Sequence, residues 1–273
     1  MVKWSVQTLM ELSPSTWRIA SACAFGAQSI VTFGVGTGSA FGWIGRALGT
    51  KTNVEISEKY NTLVTPAGYA FAIWGPIYAM EAASMLWQFG SDAPRIRGYA
   101  VRPWLLACGY QSIWTLCFGK DRITLSTATI LLLAERLAAV YDATRPQVGS
   151  SDSYALGHFP FALHYSWVAC ASIVNVNLMA VSLGSSPRLQ LALAMASEVA
   201  AFAFGAYTSY ANGDPVPAAV SAWALLAIGA KPRTAAQLKD HGDESLLMLS
   251  GLAKVTAAVL LAEALWLVAR VIR

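Results

Sequence analysis

Apolar residues run along this chain in long blocks separated by short polar or breaker-rich segments, and the blocks predict membrane-spanning helices. A spanning helix needs about 20 mostly apolar residues at a rise of about 1.5 Å each. The blocks at 19–48, 66–89, 102–119, 123–141, 160–183, 189–210, 216–229 and 246–271 are read as spans, the seventh being short. Eight spans are expected, with seven as the alternative count.

The punctuation between the blocks adds organisation. The first block carries Gly26, Gly34, Gly36, Gly38, Gly42 and Gly45. Small residues let membrane helices approach closely, so this span is expected to pack inside the bundle, with Gly34–Gly38 as the place where it would break. Pro66 suits a helix start, where its missing N–H costs nothing, and Gly90-Ser91-Asp92-Ala93-Pro94 ends the second span. Lys120-Asp121-Arg122 is too short for anything but an antiparallel hairpin. Residues 50–61, 145–159 and 231–243 read as polar or charged loops. Gly184-Ser185-Ser186-Pro187 separates five spans from three. The expected organisation is an interfacial segment at 1–18 (Trp4, Val6, Leu9, Met10, Leu12), a membrane core at 19–183 and a three-helix extension at 184–273.

Composition removes the soluble alternative. Of 273 residues, 56% are hydrophobic and 12% charged, against about 25% charged in ordinary soluble domains, and the mean hydropathy is +0.48. The fold class is therefore an all-α polytopic bundle with membrane lipids as its surroundings. The net charge of +4 is spread along the loops. No basic stripe with interleaved aromatics, the footprint of nucleic-acid binding, is present. Eight Lys and Arg residues fall on one side of an eight-span topology and nine on the other, so the positive-inside rule gives no orientation. The N-terminus lacks the features of a secretory signal or transit peptide and reads as a mature or untargeted start. Cys23, Cys108, Cys117 and Cys170 all lie in apolar blocks without C-x-x-C spacing, which points to small buried hydrophobes rather than a metal or redox site.

Chemistry within the spans is sparse. Ionisable groups in a membrane are costly and are functional candidates by default; here they are Glu81, Glu135, Arg136, Glu198, Lys254 and Glu263. Glu135 and Arg136 are about 100° apart on a helix, so each is expected to find a different partner. Structural interhelical pairs, or snorkelling in the case of Lys254, are the commoner fate of such groups. His164 is the one histidine clearly inside a span. It suits an interhelical hydrogen bond or, alternatively, axial ligation of a tetrapyrrole metal. There is no G-x-S-x-G, no H-E-x-x-H and no P-loop, and no enzyme activity is expected. The tryptophans are the sharper signal: there are ten, several well inside spans. His164, Trp167, Ala171, Asn175 and Leu178 recur at i+3/i+4 as one stripe, which suits a helix seam or a ligand wall. Asn175 is expected to supply polar contact for the buried indole of Trp167.

These residues resemble the TspO/MBR family, the translocator proteins and the longer tryptophan-rich sensory proteins. The segment Pro66-Ala67-Gly68-Tyr69-Ala70-Phe71-Ala72-Ile73-Trp74-Gly75-Pro76-Ile77-Tyr78 is similar to the family's second-helix signature. Gln111-Ser112-Ile113-Trp114 is similar to its third-helix motif, with Gln in place of Asn, and Phe159-Pro160-Phe161 with Trp167, Ala171 and Asn175 to its fifth. Val220-Ser221-Ala222-Trp223-Ala224-Leu225 resembles a segment of the longer branch. The chain departs from the family at Ala67-Gly68-Tyr69, where Pro-Asn-Trp is usual, and lacks the Pro after the third-helix Trp. The resemblance implies a five-helix core with three added helices and an aromatic pocket open toward one face. It makes Trp74, Tyr78, Trp114, Trp167 and Asn175 pocket or pocket-supporting residues, with His164 beside them.

The leading functional expectation is a non-enzymatic membrane protein that holds a tetrapyrrole, sterol, pigment or lipid. The alternative is an accessory structural subunit of a large mitochondrial (respiratory) or photosynthetic membrane complex, suggested by the altered pocket motif and the added helices. The expected location is an organellar membrane, mitochondrial ahead of plastid. A transporter is the third reading and requires Glu135 or Glu198 to face a water-filled cavity.

Overall fold

The computed structural model describes residues 14–36, 42–90, 98–145 and 151–272, and among these the secondary structure is helical throughout. In chain order the helices are α1 (Pro14–Val31), α2 (Gly42–Leu48), α3 (Asn53–Tyr60), α4 (Trp74–Trp87), α5 (Gly98–Gly119), α6 (Ile123–Thr144), α7 (Ser151–Gly157), α8 (Phe159–Ser182), α9 (Pro187–Asn212), α10 (Pro215–Ala230), α11 (Ala235–His241) and α12 (Asp243–Ile272). A π-helical turn, Thr32–Gly36, continues α1, and a 3-10 turn, Gly68–Ile73, leads into α4.

Five stretches are long and apolar enough to cross a membrane: Thr16–Gly36, Ile123–Thr144, Phe159–Ser182, Pro187–Asn212 and Asp243–Arg270. The other three expected spans are helical as well. α5 has 22 residues, α4 follows directly on its 3-10 lead-in, and α10 is a shorter apolar helix of 16 residues. At about 24 Å, α10 falls short of the hydrocarbon thickness. Most of its side chains are nonetheless buried, as suits a helix apolar on every face.

The structure differs from the expected pattern at several places. The block at 19–48 is not one helix. α1 starts earlier, at Pro14, the membrane-length stretch stops at Gly36, and α2 packs back against the π turn. A Cβ on Gly45 would lie 2.9 Å from the Gly34 carbonyl oxygen, so only glycine permits that approach. The three polar loops each contain a short helix. Two of these, α3 and α11, begin with a capping box, Thr52 with Glu55 and Thr234 with Gln237, in which side chains satisfy the first free N–H groups. Of the cysteines, Cys108 and Cys170 are buried, Cys117 is half-buried and Cys23 faces outward. The segment 1–13, expected to form an interfacial helix, lies outside the described residues.

Glu135 and Arg136 are also a correction: they pair with each other. The 100° separation applies to their Cβ directions. On an outer helix face with no other polar partner, the two long side chains bend together and neutralise one another.

Packing gathers into two apolar clusters. One joins α4, α5, α6 and α8 around Trp74, Tyr78, Trp104, Trp114, Phe161 and Trp167. The other joins α9, α10 and α12 around Ala194, Ala222, Leu225, Leu249, Ala253 and Leu260. α10 belongs to both, since Val216, Val220, Ala224 and Ala227 face the first cluster and Ala218, Ala222, Leu225 and Ile228 the second. At one end, the segment before α4 is tied to the C-terminal helices. The Ala67 N–H donates to Ala227 O at 2.9 Å, Arg233 donates to Leu63 O at 2.7 Å and Gln237 to Asn61 O at 2.8 Å.

Candidate functional site: an aromatic cavity at the junction of the two clusters

The cavity is built from the inner faces of α4, α5 and α8, closed by α9 and α10. Its aromatic wall is Phe71, Trp74, Trp114, Phe118 and Trp167, its polar points are Asn53, Ser57, Asn175 and Ser197, and Ala201, Ala224 and Ile228 close the far side. Its non-atom space, including the part open to the outside, is about 680 Å³. The space is narrow and almost wholly apolar.

Spacing on each helix places the rings. Trp114 and Phe118 are i and i+4 on α5 and stack at 5.3 Å with planes 28° apart. Trp74, on α4, lies 6.2 Å from Trp114 at 32°. Trp167, on α8, stands edge-on to Trp74, 6.3 Å away at 90°. Trp74 is thus tilted on the stacked Trp114–Phe118 pair and perpendicular to Trp167.

Asn175 ties three helices behind that wall. Its Oδ1 accepts from Trp114 Nε1 at 3.4 Å and from Ser126 Oγ at 3.3 Å. Its Nδ2 donates to Ala171 O at 3.0 Å, and its carbonyl oxygen accepts from Thr127 Oγ1 at 3.1 Å. Asn175 was expected to serve Trp167, on its own helix; it serves Trp114 on α5 instead. Trp167 Nε1 is buried without a protein partner. The N–H of Trp167 and Asn175 therefore point to different places although they share a stripe.

Tyr78 and His164 sit against Trp74 but do not line the cavity. The Tyr78 hydroxyl donates to Thr32 Oγ1 at 2.8 Å, fixing α4 to the π turn. His164 Nδ1 lies 2.7 Å from Glu81 Oε1, and the second polar atom of each, His164 Nε2 and Glu81 Oε2, has no protein partner. A family model for TSPO-like proteins matches residues 24–266, spanning both clusters and the cavity between them. The chain belongs to the TSPO-like family. Searches among curated proteins and among solved structures return no match.

The TSPO-like chain departs from the family's second-helix motif at Tyr69, and the structure gives that position a role. Tyr69 is about half exposed and meets Trp223 of α10 edge-on at 5.3 Å. The Trp223 N–H donates to Ala70 O at 3.2 Å. Gln111, standing where the family has Asn, is fully buried and donates weakly to Thr115 Oγ1 at 3.5 Å.

The remaining intramembrane ionisable groups lie elsewhere. Neither Glu135 nor Glu198 lines this cavity, which leaves the transporter reading without its required geometry there. Glu198 is fully buried on α9, and Arg233 lies close enough for charge interaction; burial lowers the Arg233 pKa while Glu198 opposes that shift. Lys254 is exposed on α12. Among the described residues no group of three or more His, Cys, Asp and Glu side chains could hold a metal ion.

A second polar cluster sits at the opposite end of α10 from the Ala67–Ala227 hydrogen bond. Asp214 caps α10 by accepting from Val216 N at 3.1 Å, and it also accepts from Tyr154 Oη at 2.9 Å and lies 3.1 Å from His158 Nε2. Burial pushes the Asp214 carboxyl up, but His158 and the two donors outweigh it, and the pKa is lowered. Burial, reinforced by Asp214, raises that of Tyr154.

Phe71, Phe118, Asn53 and Ser57 complete the cavity and were missed from the sequence. Phe71 and Phe118 stand three residues before Trp74 and four after Trp114, a helical spacing that was readable. Ser197, Ala201, Ala224 and Ile228 had no local signal, because small residues on an apolar helix do not reveal which neighbour they face.

Proposed function

We propose that this TSPO-like protein is a non-enzymatic membrane protein that binds a flat apolar ligand, a tetrapyrrole, sterol, pigment or lipid, in the aromatic cavity. The observation that carries the reading is the set of Trp74, Trp114, Phe118 and Trp167 lining one narrow apolar space. Aromatic side chains lining an apolar slot suit a planar molecule, since offset-stacked or edge-on contacts between rings are favoured by their quadrupoles. Trp167, which lines the cavity, has an indole N–H with no protein partner and so a donor to spare. Few polar groups at fixed positions in an apolar slot are the usual composition of a small-molecule site.

Titration of the purified protein in nanodiscs with protoporphyrin IX and, separately, with cholesterol tests the reading through quenching of Trp fluorescence. Saturable quenching by at least one ligand, weakened by Trp74→Leu and Trp114→Leu, is the expected result. Linear, unsaturable quenching that is the same in both variants would overturn it.

A further inference from the structure

The strap 61–67, between α3 and the 3-10 turn, closes one side of the aromatic cavity through Val64 and Pro66 and has no helix of its own. Arg233 holds it by donating from Nη1 to Leu63 O at 2.7 Å. The other edge of the same guanidinium, Nε and Nη2, is buried without a protein partner. So are both carboxylate oxygens of Glu198, a fully buried residue. The two groups lie close enough for charge interaction but share no hydrogen bond. Glu198 stands one turn from Ala194 on one side and from Ala201 on the other, and these pack into the same cluster as Leu63 and Val64. Lys231, two residues before Arg233, is drawn to Glu58 of α3 instead.

Nε and Nη2 form the fork of a guanidinium that matches the two oxygens of a carboxylate. Complementary donors and acceptors are thus left unjoined beside each other while the third nitrogen holds the strap. An uncompensated buried carboxylate is costly, and a bidentate pair relieves that cost. We propose that Arg233 is a two-position latch on the strap. With the strap closed, Arg233 holds Leu63 O and Glu198 is unpaired. With the strap released, the guanidinium turns onto Glu198 and closes the bidentate pair. Glu198 thereby stabilises the open strap relative to the closed one. Both latch residues belong to the segment beyond the five-helix core, so the added helices govern access to a cavity whose rings come from the core. The latch rests on the cavity as a ligand site only in what the strap admits.

Hydrogen exchange of the full-length protein in nanodiscs, without ligand, tests it. The marker is the Ala67 N–H, bonded to Ala227 O at 2.9 Å when the strap is closed; its exchange reports the open population. Glu198→Gln removes the charge that stabilises the open strap and is expected to slow exchange across 62–70 by about tenfold, the effect of one hydrogen bond to a charged group. Arg233→Lys keeps a donor for Leu63 O but lacks the fork, and is expected to slow exchange in the same direction. In an Arg233→Met background, Glu198→Gln is expected to change exchange by less than about twofold, because the coupling is gone. The α5–α6 hairpin is expected to exchange as in the wild type throughout, which separates the latch from a global change in stability. Unchanged or faster strap exchange in Glu198→Gln, or the same slowing in the Arg233→Met background, overturns the proposal. No ligand enters the measurement, so a failed porphyrin or cholesterol titration bears on the proposed function alone.

Discussion

His164 on α8 and Glu81 on α4, 83 residues apart in sequence, meet through Nδ1 and Oε1 at 2.7 Å with both side chains buried. This contact fixes the depth of α4 against α8, and with it the approach of Trp74 to Trp167. A buried pair of this kind is often no better than apolar residues of the same shape, but removing one partner strands the other.

The energetic signature is therefore non-additive. Glu81→Ala is expected to destabilise the protein by about 3 kcal/mol, and Glu81→Gln, which keeps an acceptor oxygen, by less. The joint replacement Glu81→Met with His164→Leu is expected to cost less than the sum of its single changes. Thermal unfolding of the wild type, Glu81→Met, His164→Leu and the double variant in one detergent closes the cycle; additive losses would count against a coupled pair.

Trp167 and Trp114 separate two effects of an indole N–H. The Trp114 N–H is bonded to Asn175 and the Trp167 N–H to no protein group. Trp114→Phe is expected to strand Asn175 partly and to lower stability by about 1 kcal/mol. Trp167→Phe breaks no protein hydrogen bond, and its expected effect is on affinity for a ligand with a polar edge, weakened about three- to tenfold. Paired melting curves and fluorescence titrations distinguish the two outcomes.

The helical class was legible because a period of 3.6 and a run of about 20 apolar residues leave little choice of structure. The rings of Trp74, Trp114 and Trp167 were likewise visible as motifs whose order along the chain matches the family. What the sequence hid were pairings across helices. Glu81 and His164 each stood out as polar groups in a span, yet nothing in either segment names the other. Asn175 could be placed on the Trp167 stripe but not assigned to Trp114, because the rotation of α8 relative to α5 is a tertiary property. Glu135 and Arg136 were misread for a different reason: Cβ directions bound where a short side chain points, and these two are long.

The Asp214 cluster predicts acid sensitivity. The Asp214 pKa is lowered from the ordinary value of 3.8, with burial opposed by His158, the Val216 N–H and the Tyr154 hydroxyl. A carboxyl with a lowered folded pKa contributes stability that is fully present above its unfolded value and lost as pH falls through the folded one. The melting temperature is expected to hold from pH 7 to about 5 and to fall below about 4. Asp214→Asn is expected to start lower and to show a flatter acid limb. A parallel decline in both proteins would place the sensitivity elsewhere.

Gly205 provides a test of how tightly α9 and α10 are joined. A Cβ at this position would lie 2.8 Å from both Cβ and Oγ of Ser221 and 3.2 Å from a Leu260 methyl on α12. The Ser221 Cβ is fixed by its own backbone, so a rotamer change cannot clear the overlap and the helices must separate. Gly205→Ala is expected to cost about 1–3 kcal/mol, as overpacked cores do, and Gly205→Val more. Ser221→Gly removes both of the nearest atoms and is expected to recover much of the loss in Gly205→Ala. Because α10 lies between the two clusters, displacing it also moves Ala224 and Ile228, which close the cavity. Thermal melting combined with ligand titration should then show stability and affinity falling together in Gly205→Ala and recovering together when Ser221→Gly is added. Recovery of stability without affinity would mean that α10 closes the cavity independently of its packing on α9.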